Sequence, residues 1–157
     1  MCPVFDCGGS YRERTVKLCG RIIFYFAFLL FQFRRDVEDE KLWISEKMPQ
    51  ATSTDYGNSL FNVHMLKKKN QSLRTEIENH EPRITLVCNN GQKLIEEGHE
   101  ASEEFRRLIE ELRQKYQELK EAVETRENGL TQSEKVQQVS FVFLLQNSAT
   151  KGSSSCS

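Results

Sequence analysis

From Val63 the apolar positions advance in alternating steps of three and four: Val63, Leu66, Asn70, Leu73, Ile77, His80, Ile84, Val87, Gly91, Leu94 and Gly98. Seven of these eleven are aliphatic. A 3.5-residue average is the seam of a helix packed in a left-handed coiled coil, because the slight mismatch with 3.6 residues per turn is absorbed by supercoiling. A second seam runs Phe105, Ile109, Leu112, Tyr116, Leu119, Val123, Arg126 and Leu130, with almost only charged residues between its members. Within it Glu103–Arg107 and Glu111–Lys115 stand at i,i+4 with the acid first, the favourable order. A third, shorter seam is Phe33, Val37, Glu40 and Ile44, with Trp43 one step around the helix. Its apolar face is narrow, and Trp43 widens it; an aromatic of that size can fill the space between two other helices and bury about 200 Å².

The breaks between the seams carry helix-ending chemistry. Pro49 follows Met48, and the stretch from Gln50 to Ser59 is rich in turn and capping residues. Gly98 suits a helix end, and Ser102 with Glu103 and Glu104 suits a helix start. The pattern predicts three helices, over 31–48, 58–97 and 101–130. Their short connections make them neighbours in an antiparallel, all-α three-helix bundle. Pro82 falls inside the second helix at a cost of about 3 kcal/mol. The seam passes it in register, from His80 to Ile84, which predicts a kink and not a break.

The flanks differ from this middle. Residues 34–130 hold 16 basic and 20 acidic residues, whereas residues 1–33 hold four basic and two acidic. The apolar run Ile22–Phe31 is preceded by Arg12, Arg14, Lys17 and Arg21. It is short against the roughly 20 residues of a membrane span. It reads as a helix extension, as unrelated flanking sequence or as a targeting segment. A second overall reading, a membrane-anchored helical adaptor, takes Ile22–Phe33 as a signal anchor. Residues 131–157 contain another apolar run, VSFVFLLQ, and then NSATKGSSSCS, whose lack of periodicity reads as disordered.

Net charge is −1, which argues against a nucleic-acid partner. Of five cysteines, Cys2, Cys7, Cys19 and Cys156 lie in the flanks, and no second Cys/His pair completes a zinc site with Cys2 and Cys7. Cys88, beside seam residue Val87, is expected to pack as a small hydrophobe. His80 on the seam is expected to be a core imidazole bonded between helices; His64 and His99 are expected to be exposed. Lys67, Lys68 and Lys69 read as a solvated face. The sequon Asn70-Gln71-Ser72 is expected to stay unmodified, because Asn70 lies on the seam. No phosphate loop, nucleophile elbow or metalloprotease motif is present, and the expectation is no enzyme, no cofactor and no metal.

The blocks FRRDVEDEKLWISEKMP, ATSTDYGNSL, KKNQSL, IENHEPRI, NNGQKLIEEGH and EELRQKYQELKEAVETREN occur in an order and at distances that resemble the spectrin repeat, and within that family a rod repeat of the β-spectrin type. The likeness covers about Phe31 to Gln138, with SEKVQQ similar to the start of a following repeat. It implies one repeat over 31–130, an unrelated flank over 1–30, and a partial next repeat followed by a tail over 131–157. It also implies that Trp43 is the buried core tryptophan of the first helix, that Tyr116 stands where the family usually places a second tryptophan, and that Gly129 weakens the helix leading onward. The residues expected to form the core are Trp43, Ile44, Leu66, Leu73, Ile77, His80, Ile84, Leu94, Leu112, Tyr116, Leu119 and Val123. On the same resemblance the chain is expected to be a piece of a longer cytoplasmic rod at the cell cortex. Its partners would be proteins, namely α-spectrin, actin and ankyrin in the context of the full-length chain, with only indirect membrane association.

Overall fold

The computed structural model describes residues 9–98 and 101–151, with the side chains of 21, 23–98 and 101–149. Three helices follow one another: α1 (Gly9–Ala51), α2 (Leu60–Glu96) and α3 (Ser102–Lys151). At about 1.5 Å per residue they are roughly 55–75 Å long. No strand occurs among the described residues.

The caps are those the turn chemistry calls for. Ser59 is the N-cap of α2, its hydroxyl accepting from the Asn62 amide. Gly98 closes the same helix with φ +74°, a left-handed conformation that costs glycine nothing, and its amide donates to the Ile95 carbonyl at 3.0 Å. Pro82 leaves α2 unbroken. Pro49 does not end α1 at Met48. The helix runs on to Ala51, since a proline removes only its own amide and Thr52 still donates to the Met48 carbonyl at 2.9 Å.

Cross-helix contacts define the directions. Asn70 reaches Val123 and Tyr116 reaches Ile77, so α2 and α3 are antiparallel. Glu40 meets His80 and Lys47 meets Glu76, so α1 and α2 are antiparallel too. Arg34 pairs with Glu104 and Lys41 with Glu111, each partner seven residues on, so α1 and α3 run parallel. The result is an all-α, three-helix bundle.

All four positions of the α1 seam, Phe33 to Ile44, are buried, as are all eight of the α3 seam, including Arg126. On α2 the seam is buried from Val63 to Leu94 except at Leu66 and His80, which are half-buried, and Gly98 is exposed. At Gly91 α1 packs close against α2. A Cβ there would stand 2.5 Å from two carbons of the Phe33 ring and 2.9 Å from Ile109. Phe33 in turn packs edge-on against Phe105, ring centroids 5.4 Å apart. We expect Gly91→Ala to destabilise by about 1–3 kcal/mol through overpacking, although alanine favours a helix intrinsically. Urea unfolding of the variant checks this; a gain in stability would contradict the close packing.

Over their described residues both flanks are helical. The run before Phe33 continues α1, with Ile23, Phe24, Tyr25, Phe28 and Phe31 exposed. Among the described residues no helix is long and apolar enough to cross a membrane. The run VSFVFLLQ continues α3, as do residues 147–151 of the end that reads as disordered. Nothing interrupts that helix, because no glycine or proline occurs between Gly129 and Lys151.

Candidate functional site: a charged layer between α1 and α2

At mid-bundle the α1 seam presents a carboxylate where the pattern calls for an aliphatic residue. Glu40 is 1% exposed. Such a group is tolerated only when both oxygens find partners. His80 on the facing seam places Nε2 at 2.6 Å from Oε2, and Arg83, one turn further along α2, donates from Nε to Oε1. The His80 ring lies flat on Trp43, centroids 3.7 Å apart and planes 6° from parallel. Lys47 sits over the outer part of the Trp43 ring and pairs with Glu76 at 2.5 Å. One acid of α1 is therefore held by two donors of α2, under an aromatic lid.

The layer corrects two expectations. Trp43 is half-buried, packed against the core from the α1–α2 side, and is not the fully enclosed centre of the bundle. The seam explains why: Ile44 occupies the inward position at 2% exposure, and Trp43 beside it covers the flank. His80 does bond between helices, yet it is half-buried and its partner is an acid. Glu40 and Arg83 were not among the expected site residues. Their signal was present as a carboxylate on one seam facing a histidine on the opposite one.

The remaining expected core residues are Ile44, Leu73, Ile77, Ile84, Leu94, Leu112, Tyr116, Leu119 and Val123, all buried, with Leu66 half-buried at the open end. Tyr116 stands in the core and donates from its hydroxyl to the Ile77 carbonyl at 2.7 Å. Burial, reinforced by Glu81 and Glu78, pushes the phenol from its ordinary value of 10 up to about 12. The folded state thus keeps a proton that the unfolded state loses. This contribution is complete below pH 10 and vanishes as pH rises through about 12, a loss of about 2–3 kcal/mol. Tyr116→Phe should flatten that alkaline limb in thermal melts from pH 8 upward. Parallel curves for the two proteins would refute it, since lysine titration is common to both.

Other groups serve the framework. Asn70 is buried and donates to the Val123 carbonyl at 3.2 Å, which keeps the asparagine of the sequon inside the bundle. Cys88 is buried, and burial pushes its thiol up against the opposing effect of Arg113. Glu111 bonds across to Lys41 at 2.8 Å, and that bond holds its carboxyl below the usual range. Glu103 bonds Arg106, one residue short of the expected Arg107. Lys67 is bound to Glu134 while Lys68 and Lys69 are exposed. His64 is exposed and also meets Glu134. His99, Cys2, Cys7, Cys156 and residues 152–157 lie outside the described residues, as does the side chain of Cys19. Among the described residues no cluster of three metal-ligating side chains occurs. What this arrangement does chemically is to bind helix to helix.

The spectrin repeat family model matches residues 28–132. A spectrin beta chain of Drosophila melanogaster is 69% identical over 111 residues, covering 71% of this chain and 5% of that protein. The erythrocytic spectrin beta chain of Mus musculus is 48% identical over 64 residues, 41% of this chain and 3% of that one. The mouse spectrin alpha chain, erythrocytic 1, is 37% identical over 109 residues, 69% of this chain and 4% of that one. The chain therefore spans no more than 5% of the length of these relatives.

Proposed function

Because the chain belongs to the spectrin repeat family, we propose that it serves as a rod segment of a spectrin-type membrane skeleton, a spacer and protein-interaction module at the cell cortex. The observation that carries this reading is the division of labour along the helices. From Phe105 to Leu130 every seam position is buried, while the outer faces are charged and cross-linked by pairs such as Arg34–Glu104 and Lys41–Glu111. A filled bundle of that kind holds its two ends at a fixed separation of about 5 nm. Its partners are proteins, met on the charged outer faces, and its association with a membrane is indirect.

The test is a transplant. Residues 28–132 replace the matching repeat of a spectrin beta chain, and the chimera is expressed in cells lacking the normal chain. Cortical assembly at normal levels is the expected result. A chimera that folds, by circular dichroism of the purified protein, but fails to reach the cortex would overturn the reading.

A further inference from the structure

The sequence predicts a weak point where α3 leaves the bundle, at Gly129. The structure surrounds that glycine with contacts from the α1–α2 connection and from the start of α2. Just before it, Arg126, 7% exposed, donates from Nη1 to the Ser53 carbonyl of the α1–α2 connection. At the glycine itself, Tyr56 from the same connection lies so close that a Cβ on residue 129 would stand 2.4 Å from its ring. One turn beyond the last buried seam residue, Leu130, Glu134 receives two groups from the start of α2. Lys67 Nζ lies 2.7 Å from one oxygen and His64 Nε2 lies 2.8 Å from the other. Glu134 is only 18% exposed, whereas Val136 beyond it is 57% exposed.

We propose that these three contacts form a latch that carries the rigid body past Gly129 to Glu134, so that the pivot of α3 lies beyond Glu134. The contacts differ in kind. One is a buried guanidinium on a carbonyl, one an aromatic ring filling the space a side chain would take, and one a carboxylate held by two cationic or hydrogen-bonding groups. Each comes from an element that is itself anchored in the bundle. Bending at Gly129 would break the second and third together, although glycine is the residue at which an isolated helix bends most easily. The Lys67 bond, followed by that of His64, holds the Glu134 carboxyl below its usual range, in keeping with a stabilised pair. The latch deepens the spacer reading, because a rod segment must fix the direction in which its last helix emerges. That use rests on the spacer reading, whereas the contacts themselves can be tested whether or not the chain reaches a cortex.

Amide hydrogen exchange on the full chain, read by mass spectrometry, locates the edge of the rigid body. Slow exchange is expected to run unbroken from 112 through 134 and to fall beyond it. Glu134→Gln should speed exchange in peptides covering 130–137 by about fivefold, the scale of a partly exposed ion pair, and leave peptides within 105–123 unchanged. Gly129→Ala provides an independent arm. It favours the helix intrinsically but displaces Tyr56, so exchange across 53–58 should quicken. A step to fast exchange already at Gly129 in the unaltered chain overturns the latch, as does the absence of any change in both variants.

Discussion

Phe105→Ala is expected to destabilise the chain by about 3–5 kcal/mol, the cost of emptying a fully buried aromatic site. Phe105 has no exposed surface, and it meets Phe33 edge-on at the end of the bundle where Gly91 lets α1 approach α2. No neighbour can collapse into the space, because Phe33 is already wedged against Gly91. Trp43→Ala is expected to cost less, about 2 kcal/mol, because only part of the indole is taken out of water and alanine leaves a surface notch and not a cavity. This reverses the ranking that a lone tryptophan suggests. Denaturant unfolding of both variants, followed by circular dichroism, gives the order directly. A Trp43→Ala loss larger than that of Phe105→Ala would contradict the placement of the core.

The second large effect is one of sign. Glu40→Met keeps the volume of a seam residue and removes a buried charge. It should leave stability unchanged or raise it by about 1–4 kcal/mol, since desolvation of an ion inside a bundle commonly outweighs its pairing energy. Arg83→Ala should act in the opposite sense. Arg83 is largely exposed, yet its loss strips Glu40 of one of its two donors. Its melting temperature should fall more than that of Lys68→Ala, an exposed change on the same helix. A destabilised Glu40→Met would show that the layer is a net source of stability, and a neutral Arg83→Ala that Glu40 does not depend on that donor. As the geometry stands, its role is to fix register: α2 cannot slide by one turn against α1 without taking Glu40 out of its place between His80 and Arg83, where each of its oxygens has a partner.

The seams were legible from spacing alone, because a buried stripe on a supercoiled helix admits few alternatives to the three-and-four step. Arg126 and Glu40 could be placed inside by the same rule before any partner was known. Rotation about the helix axis was harder to read. Trp43 and Ile44 are adjacent, and only packing decides that Ile44 points inward while Trp43 covers the flank. Helix ends were blurred where local signals were permissive, as at Pro49, whose lost amide α1 tolerates within its last turn. The continuation of α3 to Lys151 was invisible to periodicity, since a helix exposed on most positions has no buried stripe to repeat. Gly129 was misleading for a related reason. Its helix propensity is a local property, and the ring of Tyr56 that occupies its missing side chain comes from more than seventy residues earlier.

The central claim is that residues from Phe33, at the start of the α1 seam, to Glu134 form one mechanical unit. Optical-tweezers extension of the full chain, with handles at positions 31 and 138, tests it most directly. The account predicts that the bundle holds its length under rising force and then yields in a single all-or-none event, releasing about 3.3–3.6 Å of contour per residue between the handles, less the folded length. Gradual lengthening, or separate yielding of α1 from an intact α2–α3 pair, would contradict it.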